Sequence, residues 1–154
     1  MSQELIILIG LQASGKSSFY RRRFSHSHEL ISKDRMKNRR NKAKRQEMLL
    51  ERSLASGRSL VLDNTNPTRD DRLNIIQIGK KYRARIIAYY FVPDLQANLC
   101  RNRKRIGRER VPDIAIYSVA KKLQEPSYLE GFDEIWRVEL GTQEEPFTPS
   151  KKSQ

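Results

Sequence analysis

Five consecutive apolar residues, Leu5–Ile9, run straight into the loop "GLQASGKS" at 10–17. A short, isoleucine-rich apolar run bounded by glycine suits a strand buried on both faces of a parallel sheet. The loop fits G-x-x-x-x-G-K-[ST], and the residues after it read as a helix, so strand, loop and helix stand in the order that a phosphate-binding loop requires. Glycine permits backbone shapes closed to other residues, which turns successive N–H groups inward as an anion nest at a helix N-terminus. Gly10, Ala13, Ser14, Gly15, Lys16, Ser17 and Ser18 are therefore the candidate nucleotide-binding residues. Lys16 is expected to reach the β- and γ-phosphates, and the Ser17 hydroxyl to ligate Mg²⁺.

The same alternation continues along the chain. "HELIS" (28–32), "SLVLD" (59–63), "RIIAYYFV" (85–92) and "EIWRVEL" (134–140) read as further strands, the last as an edge strand. Between them, 33–56 reads as one or two basic helices ended by Gly57. Asn66 and Pro67 read as the N-cap and first residue of a helix carrying Leu73, Ile76 and Lys80 at helical spacing. Pro93 and Asp94 open a helix to about Arg105, and 113–124 forms another, with Ile116, Val119 and Leu123 on one face. The class is α/β with a mostly parallel sheet, and ligands belong at the C-terminal strand ends. Residues 1–141 form one domain, with a helical lid at about 94–112. Residues 142–154, rich in Pro, Glu, Lys and Ser, are expected to be disordered.

The net charge of +13, from 31 Lys and Arg against 18 Asp and Glu, points to a polyanionic partner. A single cysteine, Cys100, allows no internal disulfide. No basic leader or apolar span opens the sequence, so a cytoplasmic protein away from membranes is expected.

Asp34 follows the second strand, where a kinase needs a carboxylate to orient an acceptor hydroxyl and take its proton. The competing reading is a helix cap. Lys37, three residues on, would share its helix face and hold an acceptor phosphate. Asp63 ends a buried strand, a position suited to Mg²⁺, with Asn64, Thr65, Asn66 and Arg69 on the same rim; Asn66 and Arg69 are candidate substrate-binding residues. "RNRKRIGRERVP" (101–112) places Arg101 and Arg105 four residues apart, on one helix face, where they would neutralise a transferring phosphoryl group.

Together, "GLQASGKSSF", "SKDRMK", "LDNTNPTRDDR", "RNRKR" and "EPSYLEGFDEIW" resemble the 5′-hydroxyl polynucleotide kinase domains over residues 4–140. The resemblance implies a three-layer α/β/α P-loop NTPase fold with a five-stranded sheet in the order 2-3-1-4-5. It implies transfer of the γ-phosphate of an NTP, with ATP as the expected donor, to 5′-OH ends of DNA or RNA. Asp34 would be the general base, Lys16 and Ser17 the loop lysine and metal-binding serine, Asp63 the strand-end aspartate, and Arg101 and Arg105 the lid arginines. No D-x-D-G-T phosphatase signature is present, so a lone kinase module in nucleic acid repair is expected. A small-molecule or nucleoside kinase on the same fold, and a nucleic-acid-binding NTPase, are the alternatives.

Overall fold

The computed structural model describes residues 2–36 and 40–154. Six strands form one sheet in the order β2-β3-β1-β4-β5-β6. They are β1 (Glu4–Ile9), β2 (Glu29–Ile31), β3 (Leu60–Asp63), β4 (Arg85–Phe91), β5 (Glu134–Leu140) and β6 (Phe147–Lys151). The first five are parallel, and β6 returns antiparallel to β5. Among the described residues, five α-helices lie between them: α1 (Lys16–Arg23), α2 (Lys42–Ala55), α3 (Arg69–Lys81), α4 (Leu95–Arg103) and α5 (Asp113–Lys122).

The central strand β1 explains the layering. Its residues alternate between faces, as the pleat dictates. Leu5, Ile7 and Ile9 join Leu50 and Leu54 of α2 and Ile75 and Ile76 of α3 in one core. Ile6 and Leu8 join Phe19 of α1 in the other. A third, smaller core seats Leu99 of α4 and Ile116 and Val119 of α5 on Leu11 of the glycine loop. Helices thus cover both faces of the sheet, and a helical pair sits over the loop.

Three details depart from the sequence expectations. First, the buried stripe of α3 runs through Arg72, Ile75, Ile76 and Gly79, whereas Leu73 is half exposed. The helix is rotated from the expected phase because Gly79 lets it approach the sheet. A Cβ there would come within 2.9 Å of both Leu5 and Ile86 side chains. Second, the N-cap of α3 is Thr68, not Asn66. Its hydroxyl accepts from Asp71 N while the Asp71 carboxylate accepts from Thr68 N, a reciprocal capping box.

Third, the sheet has six strands rather than five, and β5 is not its edge. Residues 142–154, expected to be disordered, carry β6. Phe147 supplies the apolar anchor that the composition of this segment hides. Its ring meets Phe19 edge-on at 5.3 Å and Phe91 at 6.3 Å. Lys151 pairs with Glu134, and Lys152 N donates to Ile135 O. Pro149 is tolerated because β6 is itself an edge strand. Among the described residues no helix is long and apolar enough to cross a membrane.

Phe147→Ala should cost about 2 kcal/mol, roughly 6 °C in melting temperature, because a partly buried aromatic is lost from a packed cluster. Thermal denaturation followed by circular dichroism checks this; an unchanged midpoint would mean that β6 is not docked.

Candidate functional site

The C-terminal ends of β1 and β3 lie side by side, with Leu8 opposite Asp63 in register. The chain leaving β1 is the glycine loop, and the chain leaving β3 is the "NTNP" turn. The two are tied at the backbone by Gly10 N donating to Thr65 O at 3.1 Å. Gly10 has no space for a side chain, since a Cβ would sit 2.9 Å from that of Phe91. Gly15 takes φ +91°, in the left-handed region, and delivers the chain into α1. It also lies under Phe147 and Leu140, so β6 buttresses the loop from outside.

Lys16 is buried, and its Nζ donates to Gly10 O and Leu11 O, both at 2.8 Å. The ammonium is thereby held inside the curl of its own loop. Burial lowers its pKa from 10.5 to about 8; Asp63 and Asp34 oppose the shift and Arg105 adds to it. The charges at the end of β3, in the turn after β2 and on the lid thus all lie within electrostatic reach of the lysine. Ser17 Oγ donates to Asp63 Oδ2 at 2.7 Å. The buried Ser14 hydroxyl has no hydrogen-bond partner among the described residues. An orphaned buried hydroxyl in this loop, free to donate, fits an anionic occupant. Ser18 is partly buried, and its hydroxyl accepts from Arg21.

Two oxygens, from Ser17 and Asp63, suit Mg²⁺, which takes hard oxygen ligands and usually binds through one or two protein groups plus phosphates. The residues present fit that ion.

Asp34 lies in a single turn of 3₁₀ helix, Lys33–Arg35, directly after β2. It does not cap that turn. Ser32 does, its hydroxyl accepting from Asp34 N. The Asp34 side chain is exposed, and its carboxylate accepts no hydrogen bond from the described residues. The turn is anchored to β3 through Asn64, whose Oδ1 accepts from Lys33 N at 2.9 Å and whose Nδ2 donates to the buried Gln46 of α2 at 2.6 Å. Lys37 lies outside the described residues.

The lid rests on the loop. Asn98 Nδ2 donates to Gln12 O, and Arg101 Nε donates to Ala13 O at 2.6 Å. Burial lowers the pKa of Arg101 from its ordinary value. The spacing of Arg101 and Arg105 predicts a shared helix face, but the two do not share one. Helix α4 ends at Arg103, with Lys104 as its C-cap, and Gly107 turns the chain at φ +68°. Arg105 stands on the connecting segment, its Nη1 donating to Glu109 O at 3.3 Å, yet its charge still bears on Lys16.

Asn66 plays a different part from the one expected. It is only 5% exposed, and its amide donates to Leu8 O at 2.8 Å. Its amide nitrogen is a strut between β1 and the rim. Arg69 opens α3 and is exposed on the rim, its backbone N donating to Gln124 Oε1.

Sequence reasoning missed Arg72. Fully buried, it pairs with both oxygens of Glu130, at 2.8 and 3.0 Å, and donates to Asn66 O and Gln124 O. It fixes the rim against the segment before β5. An arginine on the phase of Ile75, Ile76 and Gly79 was the available signal.

A family model described as an AAA domain matches residues 5–126. The chain is 28% identical over 140 residues to a bifunctional polynucleotide phosphatase/kinase of Schizosaccharomyces pombe, covering 88% of this chain and 33% of that protein. It therefore spans about a third of that relative's length. Among solved structures, a fungal RNA kinase superposes with a TM-score of 0.69 at 17% identity, over 94% of this chain and 40% of that one. A gluconokinase from Sinorhizobium meliloti superposes at 0.66 and 17% identity, over 90% and 83%. Likeness at these identities shows a shared fold.

Two outcomes follow from this geometry. Glu130→Ala should destabilise the protein by about 3 kcal/mol, because it leaves a buried guanidinium uncompensated; urea denaturation reads the loss, and a change under 1 kcal/mol would contradict the pairing. Lys16 is largely neutral above pH 8 in the free protein, and an adjacent phosphate restores its charge. Nucleotide binding at pH 8.5 should thus take up more protons than at pH 7, where the lysine is already charged. Calorimetry in buffers of different ionisation enthalpy measures this, and Lys16→Met should abolish the difference.

Proposed function

The chain belongs to the AAA-domain family of P-loop proteins, and from that membership and the site geometry we propose that it is a polynucleotide 5′-hydroxyl kinase. The observation that carries the reading is the buried Lys16 curled into the glycine loop, beside Ser17 bonded to Asp63 and under the lid's Arg101, with the charges of Asp34 and Arg105 in electrostatic reach. The donor is an NTP, with ATP expected. The acceptor is the 5′-OH of DNA or RNA. The net charge of +13 and the S. pombe relative's polynucleotide kinase name support that acceptor.

In this mechanism the amides from Ala13 to Ser18 cradle the β- and γ-phosphates. Lys16 holds the oxygens between them. Ser17 and Asp63 would hold Mg²⁺, which offsets phosphate charge when bound. Asp34 orients the acceptor hydroxyl and accepts its proton. The acceptor oxygen bonds to the γ-phosphorus as the bond to the β–γ bridging oxygen breaks, and the NDP leaves. Arg101 and Arg105 neutralise the charge spread over the transferring group, and the lid excludes water. Lys37, three residues after the base, is assigned to an acceptor phosphate, and Arg69 to the same strand. The reaction belongs to nucleic acid repair in the cytoplasm.

The test is transfer of labelled γ-phosphate from ATP with Mg²⁺ to 5′-OH oligonucleotides, 3′-mononucleotides and nucleosides. Label should appear on oligonucleotide 5′ ends, with Asp34→Ala and Lys16→Ala each reducing kcat by at least about 10²-fold. Label on small acceptors alone would make this a small-molecule kinase. Release of free phosphate alone would make it an NTPase.

A further inference from the structure

Helix α5 carries two kinds of surface. Ile116 and Val119 face inward on Leu11 and Leu99. On the opposite face Ile114 is 76% exposed and Tyr117 is 49% exposed. They are three residues apart, and Lys121, four residues beyond Tyr117, continues the same face. Single exposed apolar side chains are ordinary, but an isoleucine and a tyrosine adjacent on one helix face form a patch.

The position of α5 gives that patch a meaning. Val111, just before the helix, exchanges two hydrogen bonds with Asn102 of the lid. In the first turn, Ala115 O accepts from Gln12 of the glycine loop. Just after the helix, Gln124 N donates to Pro67 O, and Gln124 Oε1 accepts from the backbone of Arg69. The helix therefore runs from the lid arginines, past the loop, to the rim of β3. Its ten residues span about 15 Å. A ligand along its outward face would have the lid near one end and, near the other, the start of α3, where the exposed Arg69 stands.

We propose that this face is the platform for the acceptor strand behind its reacting end. It binds single-stranded nucleic acid, with bases stacked on Tyr117 and against Ile114 and with phosphates on Lys121 and Arg69. Aromatic groups interleaved with cations suit a single strand, because every base has a π-face and every linkage a charge. The proposal rests on the polynucleotide kinase reading for its orientation. The net charge of +13 favours a polyanion over a second copy of this equally basic chain.

The test is fluorescence anisotropy with 3′-labelled eight-nucleotide 5′-OH strands, one DNA and one RNA, at several salt concentrations, beside the transfer assay. Tyr117→Ala should weaken binding about tenfold, in line with the stacking contribution of one base. Tyr117→Phe should stay within about twofold of wild type, since the ring is retained. Lys121→Ala should lower the logarithmic salt slope by about one. Melting temperatures establish that the variants are folded. The DNA and RNA arms decide which strand the platform prefers. Unchanged affinity in Tyr117→Ala, with wild-type transfer to oligonucleotides intact, overturns this surface and leaves the kinase reading standing. Wild-type binding that weakens in the variant without any transfer supports the surface and removes the kinase reading. A wild-type dimer that becomes monomeric in Tyr117→Ala, with oligonucleotide affinity unchanged, assigns the face to self-association and overturns the proposal.

Discussion

The parallel register that sets Asp63 beside Leu8 is the constraint on which the rest of this structure depends. It brings the exits of β1 and β3 close enough for Gly10 to bond Thr65, for Asn66 to bond Leu8 and for Ser17 to bond Asp63. A slip of one residue would turn every side chain of β1 to the wrong face and separate these partners. Leu5, Ile7 and Ile9 are fitted into one core and Ile6 and Leu8 into the other, and that packing, with the bonds at the rim, holds the register. Chemistry at the rim is in this sense a product of core packing beneath it.

Lys16 shows how that rigidity serves a ligand. A buried ammonium is costly, and the carbonyls of Gly10 and Leu11 offset only part of the cost. The loop is therefore prepared for negative charge before any arrives. Surrounding elements brace it from several sides: the lid through Asn98 and Arg101, β6 through Phe147, and the rim through Asn66 and Arg72. Most of the positive charge lies elsewhere, on exposed surface, where it is available to a long polyanion such as the proposed acceptor strand.

Local signals were legible and long-range ones were not. The buried strands, the glycine loop and the strand-end aspartates could be read because each is written in a few adjacent residues. The phase of α3 could not be fixed by apolar spacing alone, because its inward stripe contains a glycine and an arginine. Arg72 became intelligible only with Glu130, which lies 58 residues away. Asn66 looked like a cap because the local pattern is a capping pattern; the strand carbonyl that claims its amide is equally distant in sequence. β6 was hidden for the same reason, one phenylalanine in a polar segment whose aromatic partners lie on α1 and β4. Arg105 was placed on a helix that Lys104 and Gly107 end early, although its charge reaches the lysine all the same.

The proposed reaction is a single direct transfer between a donor in the loop and an acceptor hydroxyl held by Asp34. The most direct measurement is the stereochemical course at phosphorus, using a nucleoside triphosphate with a chiral isotopically labelled γ-thiophosphate and a 5′-OH oligonucleotide. One in-line displacement predicts inversion in the product. Retention would require two displacements through a phosphorylated protein group and would contradict the role given to Asp34 as base.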